Sequence, residues 1–119
     1  MEKQNIDLVL VSRQDYIEVF ESLIDCLRNG GHNGQANFVE KLKNLIDEGN
    51  IASFVEQITS VNMWGGAGAV WEVYFHNANE GKLFQKEMIR LIDLMVKTNI
   101  SQSRVNSIRT LFDGDLYSK

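Results

Sequence analysis

Apolar residues recur along most of this chain in steps of one, three and four, the spacing that lines up one face of an α-helix. The first such run places Tyr16, Ile17, Phe20, Leu23, Ile24 and Leu27 together. Ser12 precedes it as a candidate N-cap with Asp15 three positions on, and Asn29 and Gly30 close it. The spacing predicts a second helix over residues 35–48, with Phe38, Val39, Leu42, Leu45 and Ile46 on one side and Gly49 as its stop. Asn50 can cap a third, whose Ile51, Phe54, Val55, Ile58 and Val61 turn inward. A fourth after Gly81 carries Phe84, Met88, Leu91, Ile92 and Met95, and a short last helix from Ser101 or Ser103 carries Val105, Ile108, Leu111 and Phe112.

Two stretches break this rhythm. "IDLVLV" (6–11) alternates briefly, but a lone strand has no partner for its backbone, so it reads as an extended lead-in or an early helix turn. "AGAVWEVYFH" (67–76) fits two periods. As a strand it sets Trp71, Val73 and Phe75 on one face, opposite Val70, Glu72 and Tyr74. As a helix it groups Val70, Trp71, Tyr74 and Phe75, with Glu72 and His76 one turn apart on another face. Without a second strand to pair with, helix is the expected state.

The chain of 119 residues contains no proline, where ordinary usage of about 5% would give roughly six. Proline is excluded from helix interiors, so the absence supports a mostly helical chain. Turn signals are built from Gly and Asn instead: "RNGGHNGQ", "DEGN", "HNANEGK" and "FDGD". Without repeats or linkers, residues 1–119 are expected to form one all-α domain, a bundle of five to six helices.

Charge narrows the partners. The net value is −4, and residues 1–60 hold ten acids against five bases. Nucleic-acid binding needs clustered Lys and Arg, and anionic membranes require the same, so both are disfavoured. No apolar run is long enough to span a bilayer, and no signal peptide is recognised, so the expected location is the cytoplasm. The single cysteine, Cys26, falls within a helical apolar pattern and reads as a small buried hydrophobe, with neither disulfide nor metal implied.

The stretch "NMWGGAGAVWEVYF" crowds Gly65, Gly66 and Gly68 between Trp64 and Trp71 and follows them with Glu72. A phosphate cradle would need a buried strand before it or a Gly-Lys-Ser/Thr ending, and neither is present. Glu72 with His76 is a lone pair and not a converging catalytic constellation. Close packing uses every residue: glycine costs about 1 kcal/mol in a helix, and bare backbone lets a second helix approach while the indoles cover the seam. The expectation is a tightly packed turn leading into a central helix, with Glu72 capping free N–H groups or pairing with a base.

"MWGGAGAVWEVYF", preceded by two helices and a Gly-Asn stop, resembles the motif of an uncharacterised family of small bacterial helical domains with an aromatic-Gly-Gly-x-Gly pattern. The resemblance covers residues 16–76 and implies that Gly65, Gly66, Gly68, Trp71 and Glu72 form the motif's core, after the aromatic Trp64. By size and helical make-up such domains are similar to the immunity proteins that neutralise bacterial toxins.

One helix face carries chemistry of its own. Asp15, Glu18, Glu21 and Asp25 are spaced by three, three and four, with no Lys or Arg between Arg13 and Arg28. The bland reading is a solvated face that keeps the protein soluble. The functional reading is a docking surface for a basic protein. The sequence therefore predicts a non-enzymatic binding protein, immunity-like and cofactor-free, using the acidic face against a basic partner. The alternative is a small-molecule binder or enzyme with a pocket at the Gly65–Gly68 turn.

Overall fold

The computed structural model describes residues 3–100 and 103–117, with side chains described for 6–100 and 105–112. The fold is all α. In chain order it contains α1 (Lys3–Val11), α2 (Arg13–Asn29), α3 (Asn33–Asp47), α4 (Ile51–Ile58), the single-turn α5 (Val61–Trp64), a 3-10 turn (Val70–Glu72), α6 (Ala78–Lys97) and α7 (Ser103–Tyr117). Its radius of gyration, 13.6 Å, matches the roughly 13.5 Å of a compact domain of this length.

α2 is the central helix. It packs against α3 on one side and α6 on the other, and α7 lies on α6. Tyr16, Val19, Phe20, Leu23, Cys26 and Leu27 are its buried stripe. Each large apolar side chain so buried contributes about 1.5–3 kcal/mol. Tyr16, Phe20 and Phe54 make an aromatic triangle with ring centroids 5.2 to 6.0 Å apart. The Thr98 hydroxyl donates to the Leu94 carbonyl at 2.8 Å, so it accepts from the Tyr16 hydroxyl at 2.7 Å. That bond ties the start of α2 to the end of α6, and burial pushes the Tyr16 phenol above its ordinary value of 10.0.

Three helices end by the same device. At the end of α2, Gly31 has φ +81, its N–H reaches Arg28 O at 3.0 Å, and His32 N reaches Leu27 O at 2.7 Å. Gly49 ends α3 in this way and Asn99 ends α6. These are Schellman closures, which satisfy the last carbonyls of each helix through one left-handed residue. The closure of α2 delivers His32 directly to the start of α3.

Several elements differ from expectation. "IDLVLV" lies within helix α1, of which only Val9 is buried among the residues with described side chains, while Val11 is 85% exposed. The third predicted helix breaks early: Thr59 and Ser60 turn their hydroxyls back onto Val55 O and Gln57 O, so α4 stops at Ile58. Val61, expected inward, restarts the chain in α5 and is 78% exposed. "HNANEGK" is a helix start, because the Asn77 side chain accepts from Glu80 N at 3.0 Å and α6 runs straight through Gly81. α7 continues through "FDGD", and its Leu111 is 59% exposed. Ser101, one of two candidate starts for α7, lies outside the described residues.

Candidate functional site

Because Tyr16, Phe20 and Leu23 turn inward, α2 presents Asp15, Glu18, Glu21 and Asp25 to solvent, and all four are exposed. The fold adds what sequence spacing could not show: bases from two other helices reach the stripe. Arg90 of α6 lies 3.5 Å from Glu18, and Lys43 of α3 lies 3.4 Å from Glu21. Gln14 also donates to Glu18 at 3.4 Å. Asp15 and Asp25, at the two ends, make no ion pair among the described residues. Such half-exposed pairs stabilise by about 0–1 kcal/mol each, so the face is not needed to hold the bundle together. Beside it, Glu21, Ile24, Asp25, Glu40 and Lys43 line an open cleft of about 350 Å³ between α2 and α3. Glu40 is an acidic member that the reading along α2 missed; it pairs with Arg28 at 3.5 Å.

The glycine-tryptophan stretch is built differently from expectation. Gly65 ends α5: its N–H bonds to Val61 O at 2.8 Å, and a β-carbon there would sit 2.6 Å from that same oxygen. Gly66 and Gly68 are exposed, and no atom lies within 4 Å of where their β-carbons would be. No second helix therefore packs on bare backbone. Gly68 is required by its φ of +88, a turn that side chains oppose.

Residues 69–76 are not a helix. After the 3-10 turn the chain runs extended, with Val73 at φ −65, ψ 149 and Asn77 at φ −88, ψ 121. Trp71, Val73 and Phe75 are half-buried while Glu72, Tyr74 and His76 are exposed, the period of two that a strand would show. Glu72 and His76 are consequently not one helical turn apart. Glu72 caps no helix and makes no ion pair among the described residues.

What replaces a partner strand is a set of side-chain anchors. The Trp64 indole, 2% exposed, donates to Ile58 O at 2.6 Å, and the Trp71 indole donates to Gly65 O at 2.7 Å. Gln35 donates its amide to Gly68 O at 3.2 Å. His32 Nε2 lies 2.6 Å from the Tyr74 carbonyl, which only accepts, so this nitrogen carries the proton. His32 is also edge-on to Phe75 (5.3 Å), which contacts Phe84 (5.1 Å), then Phe112 (6.3 Å), then Trp71 (6.4 Å). One row of rings thus clamps the 65–77 strap between the α2–α3 junction and the side chains of α6 and α7. Gly30 completes the clamp, since a β-carbon there would fall 2.7 Å from the Phe75 ring. His32 and Gly30 escaped the sequence reading because "RNGGHNGQ" registers only as a turn.

Beneath the strap a second open cleft of about 350 Å³ is lined by Gly34, Gln35, Phe38, Asn62, Gly68 and Val70. Among the described residues no group of three or more potential ligands could hold a metal ion, and no helix is long and apolar enough to cross a membrane. Burial, with smaller contributions from Glu87, Asp25 and Glu80, pushes the Cys26 thiol up and away from the reactive thiolate.

Comparison with family models, curated proteins and solved structures finds no match.

Proposed function

We propose that the chain is a non-catalytic protein-binding domain of bacterial type, an immunity-like inhibitor whose α2 face docks on a basic toxin. The observation that carries this reading is the exposed carboxylate row, Asp15, Glu18, Glu21 and Asp25, extended by Glu40 across the cleft to α3. A row of carboxylates opposite the core steers a basic partner and fixes its orientation. The resemblance of the Trp64–Glu72 motif to small bacterial helical domains points the same way. Immunity proteins are generally encoded beside the toxin they block, so the partner to test is the product of the adjacent gene. Co-expression with that product should restore growth, and reversing all four α2 charges should abolish both protection and binding. Full protection by the reversed variant would overturn the assignment to this face.

The cleft beneath the strap favours a second reading, a small-molecule binder at Gly68. A ligand held there would raise the melting temperature by mass action. Absence of any shift across a metabolite panel would remove that reading.

A further inference from the structure

The junction of α2 with α3, residues 29–34, holds two Asn-Gly pairs, Asn29–Gly30 at the end of α2 and Asn33–Gly34 at the start of α3, and the structure treats them oppositely. We infer that Asn33 is a site of spontaneous covalent modification, deamidation through a cyclic imide, whereas Asn29 is protected.

The reaction needs the backbone nitrogen of the following residue to be free to attack the asparagine side-chain carbonyl. Glycine in that place opposes attack least, having no side chain. At Asn29 that nitrogen is engaged: Gly30 N donates to Cys26 O at 3.0 Å, and the Phe75 ring and His32 leave no room over Gly30. At Asn33 it is not. Gly34 is the second residue of α3, where helical N–H groups have no carbonyl one turn back, and among the described residues its N–H has no acceptor. Asn33 and Gly34 are both exposed, and nothing lies within 4 Å of the space a Gly34 side chain would fill. His32 leads into this first turn without a side-chain cap bond, so the turn can fray into the geometry the attack requires.

In the first step the Gly34 nitrogen forms a bond to Asn33 Cγ and gives up its proton. The C–N bond of the side-chain amide breaks, and that nitrogen leaves with the proton as ammonia. Water then opens the imide at either carbonyl, giving aspartate or isoaspartate; no oxidant or reductant takes part. Both products add a negative charge at the start of α3, where the helix dipole favours it. The isoaspartyl form also lengthens the main chain beside His32, the residue that holds Tyr74.

The test incubates the native chain at mildly alkaline pH and follows mass gain, ammonia lost and water gained. Because the tryptic fragment Asn29–Lys41 contains both pairs, fragment ions are needed to separate them. A parallel incubation in concentrated urea gives the rates without structure. Native Asn33 is expected to react at least about tenfold faster than native Asn29, the order of protection that one helical hydrogen bond and a covering ring confer on Gly30, while in urea the two rates converge. Asn33→Gln should remove the native modification. Equal native rates, a faster Asn29, no native reaction at Asn33, or the same preference in urea would each overturn the inference.

Discussion

Gly30 and Gly34 sit four residues apart at the α2–α3 junction, yet alanine at the two positions is expected to move stability in opposite directions. In Gly30→Ala the new methyl would lie 2.7 and 2.9 Å from Phe75 ring carbons and 3.1 Å from His32 Cδ2. Carbon pairs rest at about 3.5–4.0 Å, so something must give. The Phe75 ring cannot swing away freely, because Phe84 and His32 hold it at 5.1 and 5.3 Å. Overpacking of this kind costs about 1–3 kcal/mol. The backbone at Gly30, φ −84, suits alanine, so restriction of the unfolded chain returns about 0.4–1 kcal/mol. Mid-range values leave a net loss of about 1.3 kcal/mol, a fall of roughly 5 °C in Tm for a chain of this size. Gly34→Ala meets open space in a helical turn and is expected to gain about 0.4–1 kcal/mol. Urea titrations and thermal melts followed by circular dichroism measure both. If the variant at position 30 proved as stable as the parent, the clamp between Phe75 and the end of α2 would be refuted. Pairing that variant with Phe75→Leu should recover part of the loss, and a purely additive result would count against direct contact.

Trp71→Phe removes the indole donor to Gly65 O and is expected to cost about 1 kcal/mol, read as a lower urea midpoint with an unchanged slope. Tyr16 is a group whose folded pKa is raised. Its contribution is therefore fully present below 10.0 and is lost as pH climbs beyond that, because the unfolded phenol ionises first. Stability profiles above pH 10 should accordingly be shallower for Tyr16→Phe than for the parent, and parallel profiles would contradict the buried environment. Reversing Asp15, Glu18, Glu21 and Asp25 together turns two surface ion pairs into like-charge contacts, at a cost of about 1 kcal/mol or less per pair. The variant should still melt cooperatively, so loss of binding could be read as loss of the face.

Helix class was legible because α2, α3 and α6 bury long stripes with a period of 3.6, and no proline interrupts them. The stripe on α2 was legible for the same reason: whatever opposes Tyr16 and Leu23 must face water. Less visible was anything decided between elements. Arg90 and Lys43 approach the stripe only through the packing of α6 and α3 on α2, and no spacing along one helix contains that information. Residues 71–76 show the subtler failure. Their alternation is present in the sequence but names no partner strand, and none is needed: His32 bonds the Tyr74 carbonyl, while Gln35 and the Trp71 indole hold Gly68 O and Gly65 O just upstream. The helix α1 was hard to read for the opposite reason, since Leu10 and Val11 are apolar but exposed and leave little periodic contrast.

The chain's two tryptophans, Trp64 and Trp71, both belong to the neighbourhood of the strap. The molecule's tryptophan emission is therefore weighted towards the strap and its seat on the bundle. An emission-detected melt that ran ahead of the far-ultraviolet signal would mark the strap as a separately opening unit; coincident curves would mean that it opens together with the helices.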